Sequence, residues 1–332
     1  MKSTSRKQPK ISVIVLYYNA KEYIDQLFPS LQQQTYKNYE VIVVDNASSD
    51  DGLAYIKKKY PWAKTIQNKQ NLGFSEGNNV ALRKAKGDIL VLVNHDVVLL
   101  PHTLSLIAEA MQSDEKIGIL GGPYIYLHAK DKVKSADIIK ILNHDLDVHM
   151  VSGSLMAIKK EIIKKIGLLD KEYFLYWEDA DFCYRAIQAG FRVLFKHDLI
   201  YYHASGGSTR IREEASQKWN LLRHFSKEDY FITYLFYRNE MMFSLLNEEL
   251  FSFFRRLATI KMRVLYHLFL RFNKIPLLSF YLGLAYLFCH RKELLKIRAE
   301  RQRKRTVSDN VIKKLQREKD WYAKKIRALQ KS

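Results

Sequence analysis

Short apolar runs alternate with helix-forming segments through the first hundred residues of the chain. Residues 11–17, 40–45 and 89–94 are almost continuously apolar, which is typical of strands covered on both faces of a sheet. Between the first two runs, apolar side chains recur at helical spacing from Ile24 to Leu31, as on the buried side of a helix. This alternation predicts an α/β fold with a mostly parallel sheet flanked by helices.

Polar side chains stand at the end of each predicted strand. The residues concerned are Tyr18, Asn19, Asp45, Asn46, Asn94 and Asp96. In open parallel sheets, ligands bind outside the carboxyl ends of the strands, so these side chains are predicted to line a site. Asn19 is also a suitable N-cap for the helix that follows it. A Gly- and Asn-rich loop over residues 68–79, with Asn71, Gly73 and Asn78, runs into a further helix.

Three carboxylates, Glu178, Asp179 and Asp181, lie within four positions among aromatic residues. Carboxylates clustered at an apolar site repel each other, so they indicate a nearby cation, a shared proton or a catalytic role. On a helix that begins near Glu178, Asp181 and Arg185 are four residues apart and can form an ion pair. The alternative for this stretch alone is an acidic helix N-terminus, which the helix dipole favours.

The formal net charge of +20 is concentrated near the C-terminus, where residues 291–332 hold 16 Lys and Arg against five Asp and Glu. A basic tail suits nucleic acid or an anionic membrane surface. No helix-turn-helix, zinc-finger or RNA-binding signature is present, so we expect no nucleic-acid partner. The two cysteines, Cys183 and Cys289, cannot form a disulfide framework and favour a cytoplasmic protein.

Four regions follow from these patterns: a disordered basic arm over 1–10, an α/β domain over 11–226, an aromatic-rich amphipathic helical region over 227–290 and a basic helical tail over 291–332. The longest uncharged apolar run, residues 275–289, spans roughly 22 Å as a helix, less than a hydrocarbon core of about 30 Å. We therefore expect helices lying on the membrane surface; the alternative is a helical subdomain packed on the sheet. The last predicted helix could also pair with a second copy in a homodimer.

Several motifs occur in an order that resembles a known family. They are YN at 18–19, VVDNASSD at 43–50, NLGFSEGNN at 71–79, VNHDV at 93–97, VSGS at 151–154, FLYWEDAD at 174–181 and YH at 202–203. Together they resemble family 2 glycosyltransferases with the GT-A fold, a Rossmann-like arrangement, over residues 11–210. The last three motifs are similar to the rhamnosyltransferase and galactofuranosyltransferase branch, which builds bacterial surface polysaccharides.

The resemblance implies an inverting transfer of a sugar from a dTDP-, UDP- or GDP-linked donor to a hydroxyl of a lipid-linked or growing glycan, at the inner face of the cell membrane. It implies that Asp179 is the base, that Glu178 and Asp181 support it or position the acceptor, and that Trp177 stacks on the acceptor sugar. Asp96 and His203 would hold Mn²⁺ or Mg²⁺. The nucleotide-binding residues implied are Tyr18, Asn19, Asp45, Asn46, Asn71, Gly73, Asn78 and Asn94.

The chain departs from the family at Asn94, which replaces the first Asp of an Asp-x-Asp motif and so removes a charge next to the expected metal. This change alone supports an alternative, a non-catalytic assembly subunit. Another alternative is a nucleotidyltransferase, but that class needs a Gly-rich, basic phosphate loop after the first strand, and residues 17–20 offer none. A small-residue loop over residues 204–209 is predicted to close over phosphates.

Overall fold

The computed structural model describes residues 8–131, 133–204, 227–271 and 275–331. The predicted arm up to residue 7 and the predicted phosphate-closing loop from residue 205 lie outside this part. The described strands are β1 Ile11–Tyr17, β2 Tyr39–Asp45, β3 Lys64–Gln67, β4 Ile89–Asn94, β5 Val97–Leu99, β6 Ile117–Gly121, β7 Tyr124–Tyr126, β8 Leu146–Asp147, β9 Leu155–Lys159, β10 Arg192–Phe195 and β11 Tyr201–His203.

Helices lie between these strands and then follow them without further strands in the described part of the chain. They are α1 Lys21–Gln32, α2 Gly52–Lys59, α3 Gly73–Leu82, α4 Thr103–Ser113, α5 Ser135–Leu142, α6 Lys160–Ile166 and α7 Glu178–Gln188, and then α8 Lys227–Asn247, α9 Leu250–Arg271, α10 Ile275–Cys289, α11 Arg291–Arg303 and α12 Asp309–Lys331. A short 3₁₀ turn, Lys171–Tyr173, precedes α7.

The larger sheet has the strand order β3-β2-β1-β4-β9-β6-β10-β8. Strands β3, β2, β1 and β4 are parallel, and β9 is inserted antiparallel between β4 and β6. The predicted α/β architecture with a mostly parallel sheet is therefore confirmed. A smaller sheet, β5-β11-β7, places His203 opposite Val97, next in the chain to Asp96.

The strands of the larger sheet are buried on both faces. In β1, Ile14 and Leu16 belong to one apolar cluster, whereas Val13 and Val15 belong to the cluster on the opposite face. Alternate side chains of a strand point to opposite faces, so the continuous apolar run is the sequence form of this double coverage. This packing holds the carboxyl ends of the parallel strands, and the polar residues that follow them, at one edge of the sheet.

The C-terminal helices pack on the α/β domain. Asn239 of α8 is fully buried, and its Nδ2 donates to the carbonyl oxygens of Tyr173, at 2.7 Å, and Leu175, at 2.9 Å. The predicted helical extension is confirmed, and α8 supports the segment that leads into α7. Among the described residues, no helix combines the length and the apolar character needed to cross a membrane.

Three local predictions are wrong. The many polar side chains of residues 131–147 predict an exposed segment, but Ile138 and Leu142 of α5 are fully buried in the core. Asn19 does not cap α1, whose N-cap is Ala20, because Asn19 has a positive φ of 45° that directs its side chain to a neighbouring turn. The sequence of residues 151–158 predicts a strand over that whole range, but β9 begins only at Leu155.

Candidate active site

Asp45, at the end of β2, has a buried carboxylate oxygen that accepts no hydrogen bond from the described residues. The residue is 1% exposed, and its Oδ1 accepts a hydrogen bond from Ser48 N at 3.0 Å. Its Oδ2 is buried and has no hydrogen-bond partner within the described chain. A buried carboxylate oxygen without a donor is costly, so this atom suits a donor from a ligand, such as a ribose hydroxyl or a base N–H.

Asn46 has a different role, because the protein uses its amide completely. Its Nδ2 donates to Asn71 Oδ1 at 2.8 Å and to Gly73 O at 3.1 Å. Its Oδ1 accepts from Leu72 N and from Asn68 Nδ2, both at 3.0 Å. Asn46 and Asn71 therefore shape the loop before α3. They would contribute to a nucleotide site indirectly, by holding this loop in place.

Asn19 similarly organises the turn after β2. Its Oδ1 accepts from Ser49 N at 2.8 Å, and its own N–H donates to Ser48 Oγ at 3.1 Å. The neighbouring Tyr18 is 42% exposed and is available to a ligand at the same edge. The predicted residues at the ends of β1 and β2 thus come together, but they divide into ligand-facing and loop-shaping groups.

The start of α3 is in contact with the segment before α7. Gly73 has a φ of +72°, and a Cβ built on it would lie 2.5 Å from Phe174 O. The same carbonyl accepts a hydrogen bond from Phe74 N at 2.5 Å. Asn78 is 1% exposed and donates to Phe74 O within α3, whereas Asn79 bonds to both polar backbone atoms of Leu169. The loop that leads into α3 is therefore packed directly against the segment that leads into α7.

Asp96 and His203 come together although 107 residues separate them: Asp96 Oδ1 and His203 Nε2 are 3.1 Å apart. The pairing of β5 with β11 produces this contact, and Asp96 is only 5% exposed. A carboxylate oxygen and an imidazole nitrogen at this separation fit a divalent cation of the Mn²⁺ or Mg²⁺ type. His95, between Asn94 and Asp96, instead directs Nδ1 to Leu16 O at 3.2 Å, away from this pair.

Asp179 and Glu178 occupy the first turn of α7 in unlike environments. Asp179 accepts hydrogen bonds from Gly153 N at 3.1 Å and from Ala180 N at 2.8 Å. Burial raises the pKa of Asp179, but these N–H groups and the Lys319 ammonium counteract that rise. Burial and the neighbouring Asp179 charge raise the pKa of Glu178 well above its usual range, and Glu178 Oε2 has no described partner. Both pKa values are raised, that of Glu178 further, so Asp179 is the more readily ionised carboxyl of the pair.

Asp181 is completely buried and fully engaged by the protein. Its Oδ2 accepts from Arg185 Nε at 2.7 Å, which confirms the predicted pair, and its Oδ1 accepts from Arg301 Nη1 at 2.5 Å and Asn247 Nδ2 at 2.8 Å. Burial alone would raise the pKa of Asp181, but Arg301 and Arg185 hold it well below its usual range. Asp181 was predicted to support Asp179 or to position the acceptor. A carboxylate with no exposed surface and these partners has no face for an acceptor and acts as a structural anion within α7.

Trp177 packs against the helical extension. Its ring centroid lies 5.2 Å from that of Phe243 and 6.1 Å from that of Phe236, and the Arg256 guanidinium lies 5.7 Å from the ring centre. These contacts place side chains of α8 and α9 against the ring, so Trp177 has a packing role beside the acceptor-stacking role that the resemblance implies. Its Nε1 is buried and has no partner among the described residues.

The buried Tyr201 hydroxyl is under the influence of both Asp96 and Asp179. This hydroxyl lies 2.7 Å from Ser154 Oγ, and burial raises its pKa, with both Asp96 and Asp179 adding to the rise. Both carboxylates therefore act electrostatically on the same buried hydroxyl. The VSGS motif had pointed to Gly153 and Ser154, but no sequence signal had identified Tyr201.

Comparisons with known proteins agree with this geometry. Residues 12–167 match the family model described as glycosyl transferase family 2. Residues 12–167 are thus similar to family 2 glycosyltransferases. The match begins within β1 and ends just beyond α6, so it includes the strand ends with Asp45 and Asp96, whereas Asp179 and His203 follow it in the chain.

An uncharacterised glycosyltransferase of Haemophilus influenzae is 34% identical to this chain over 116 residues. These residues make up 34% of this chain and 36% of that protein. The chain spans about a third of the length of the relatives it matches.

Among solved structures, a mannosyltransferase from Pyrobaculum calidifontis in complex with GDP-Man and Mn²⁺ has a TM-score of 0.52 at 18% identity, covering 84% of this chain and 87% of that one. TarS from S. aureus in complex with UDP has a TM-score of 0.51 at 23% identity, covering 80% and 74%. The predicted GT-A fold is confirmed.

Proposed function

We propose that this protein is an inverting, metal-dependent glycosyltransferase that uses a nucleotide-sugar donor. The observation that carries the proposal is that three acidic groups lie at one edge of the sheet: Asp45 at the end of β2, the Asp96–His203 pair just after β4, and Asp179 bonded to Gly153 just before the antiparallel β9. Inversion by a single displacement requires a base on one side of the reacting carbon and a stabilised leaving group on the other. These residues can fill those two roles.

Asp179 is assigned as the base. The acceptor oxygen bonds to the anomeric carbon, the bond from that carbon to the diphosphate breaks, and the hydroxyl proton passes to Asp179. Glu178, held protonated beside it, leaves Asp179 as the carboxylate able to accept that proton. Asp96 and His203 would hold a divalent cation, which when bound neutralises the charge of the departing diphosphate.

The donor is proposed to be a dTDP-, UDP- or GDP-linked sugar of rhamnose or galactofuranose type, and the acceptor a lipid-linked or growing surface glycan. The nucleotide class is supported by the GDP-Man and UDP complexes of the two structural neighbours. The sugar and the acceptor rest on the FLYWEDAD and YH motifs. Of the predicted nucleotide residues, Tyr18, Asp45 and Asn94 are proposed to contact the donor, and Asn19, Asn46, Asn71, Gly73 and Asn78 to shape its loop.

Calorimetric titration with UDP, dTDP and GDP, each with and without Mn²⁺, tests the donor site. Metal-enhanced binding of one nucleotide is expected, and Asp96→Asn should remove the enhancement. Asp179→Asn should reduce sugar transfer by about a thousandfold, the upper range of general-base catalysis, while nucleotide affinity stays within about twofold. Glu109→Gln, an exposed carboxylate on α4, is the control for both assays. Absence of binding by every nucleotide would favour the non-catalytic assembly subunit.

We further propose that α9 and α10 dock on an anionic membrane surface. Phe251, Met262 and Phe269 share one face of α9 and are 77%, 66% and 66% exposed, and Tyr281 and Phe288 of α10 are 60% and 66% exposed. An exposed apolar surface of this kind is typical of an interaction site. Exposed basic residues on the same helices, Arg255 and Lys261, suit anionic lipid headgroups, which makes a membrane the favoured partner.

Co-sedimentation with phosphatidylglycerol-containing vesicles tests this surface. The triple variant Phe251→Ser, Phe254→Ser and Phe269→Ser should lose most vesicle binding and keep its transfer activity toward a water-soluble acceptor. Trp321→Ser, which removes an exposed aromatic ring from α12, should bind like the wild type. A wild-type protein that ignores vesicles and doubles its mass with concentration would show that the surface is a dimer contact instead.

A further inference from the structure

The C-terminal helix α12 carries a lysine within its buried stripe. Ile312, Lys319 and Ile326 are seven residues apart and share one helix face, and both isoleucines are at least 91% buried, since they are 9% and 8% exposed. Tyr322, one turn after Lys319, is 4% exposed. A lysine at this position is directed toward the α/β domain, where an ammonium group needs an anionic partner.

The contacts of α12 fix where this face is placed. Tyr322 donates a hydrogen bond to Leu142 O at 3.0 Å at the end of α5, and α12 also packs on β8. Gln330 donates to Tyr124 O at 2.8 Å and accepts from Tyr126 N at 3.1 Å, so its side chain engages β7. The chain continues from β8 through His149 to Gly153, whose N–H donates to Asp179. Lys319 therefore lies on the α12 face that meets α5 and β8, the elements that precede the Gly153 segment bonded to Asp179.

The electrostatics of the site agree with this placement. Burial lowers the pKa of Lys319, and the Asp179 carboxylate is the main group that opposes the decrease. Burial, Lys319 and Arg256 lower the pKa of His149 to about 3, so His149 is neutral and supplies no competing cation. The titratable and charged groups around the pair are Glu178 and Cys183 on α7, His149, Tyr201, Arg256 and, beside Lys319, Asp320.

We propose that Lys319 is a positioning residue of the transfer reaction, brought by α12 to hold Asp179 in its ionised, proton-accepting form. The inference rests on the proposed function and extends it, because it makes the basic tail a part of the active site. Without this cation, two adjacent buried carboxyls and the surrounding apolar core favour the protonated form of Asp179. A protonated Asp179 cannot accept the proton of the acceptor hydroxyl.

Lys319→Met tests the proposal through the pH profile of kcat/KM. Loss of the cation makes Asp179 easier to protonate, so the acidic limb of the profile should move to higher pH, with about a tenfold loss of activity on that limb. Lys319→Arg should restore most of the activity, and nucleotide affinity should stay unchanged in both variants. Lys324→Met, an exposed lysine on the same helix, is the matched control.

A thermal double-mutant cycle provides a readout that does not depend on activity. At pH 7.5, Lys319→Met should lower the unfolding midpoint clearly in the wild-type background and much less in the Asp179→Asn background, where no carboxylate charge is left unpaired. Additive midpoints together with an unmoved acidic limb would overturn the proposal. If the wild type transfers no sugar, the proposed function fails, and the cycle still decides whether Lys319 and Asp179 are coupled.

Discussion

Replacing Arg301 by Met removes one of the two cations that neutralise Asp181. Asp181 has no exposed surface, and Arg301 Nη1 donates to its Oδ1 at 2.5 Å while Arg185 serves the other oxygen. Breaking a buried ion pair by removing one partner costs about 3–5 kcal/mol, because the remaining charge stays buried. Since Arg185 remains, we expect a loss at the lower end, about 3 kcal/mol in the free energy of unfolding.

Lys304→Met on the adjacent turn is the matched control. Lys304 pairs with Glu300 at 2.8 Å, but the two side chains are 73% and 60% exposed, so removing the Lys304 charge should leave the free energy of unfolding nearly unchanged. Urea unfolding followed by circular dichroism and tryptophan fluorescence at pH 7.5 measures both variants, provided that the two probes coincide. The double variant Asp181→Asn with Arg301→Met should recover part of the loss, because the fully buried Asp181 charge is then removed as well. Recovery is incomplete, because Asp170, which also pairs with Arg301 at 3.0 Å, and Arg185 each lose an ionic partner.

The pH dependence gives an independent check of the same ion pair. The pKa of Asp181 is lowered in the folded state, so its contribution is present above the unfolded carboxyl value of about 3.9 and is lost as pH falls below it. Arg301→Met should therefore destabilise most at neutral pH and progressively less toward pH 2. If Arg301→Met costs within about 1 kcal/mol of Lys304→Met at every pH, the buried ion pair is not a main stabilising contact.

Two further outcomes are expected. Gly73→Ala should weaken nucleotide binding and lower the melting temperature, because its φ is +72° and the new Cβ would meet Phe174 O; Gly167→Ala, at a φ of +81° with open space around it, separates backbone strain from this clash in calorimetry and melting curves. Burial acts to raise the pKa of Glu40, but hydrogen bonds from Lys64 and Ser12 lower it to about 2, so Glu40 should stabilise the fold above pH 4.5 and lose that effect as pH falls toward 2. Glu40→Gln should flatten the acid limb of stability against pH, and an unchanged limb would contradict this.

The polar residues at the strand ends could be predicted from sequence because the pattern that marks them is local. A continuously apolar strand followed at once by Asp45 or Asn94 already implies the edge of a parallel sheet, and the structure has β2 and β4 there. The ion pair of Asp181 with Arg185 follows from helical spacing in the same way. In each case the interacting groups lie within a few residues of each other or of a strand end.

The partners that change a residue's role come from distant parts of the chain. Asp181 was predicted to support Asp179 or to position the acceptor, whereas Asn247 and Arg301, 66 and 120 residues later, make it a structural anion. The seven-residue spacing of Lys319 from Ile312 and Ile326 was a visible signal, but nothing in the pattern showed that this face meets Asp179. The buried face of α5 was missed for the same reason, since α12 helps to cover it.

The contacts of α11 and α12 also affect the order in which parts of the fold form during translation. Gln330 of α12 engages Tyr126 across 204 residues, and Arg301 of α11 reaches Asp181 across 120 residues. A nascent chain that has not yet released residue 301 from the ribosome contains Asp181 and Arg185 but lacks Arg301, the second cation bound to Asp181 in the folded protein. Such long-range closure is slow and comes late in folding. Complete charge pairing of Asp181 therefore comes only after α11 has emerged from the ribosome.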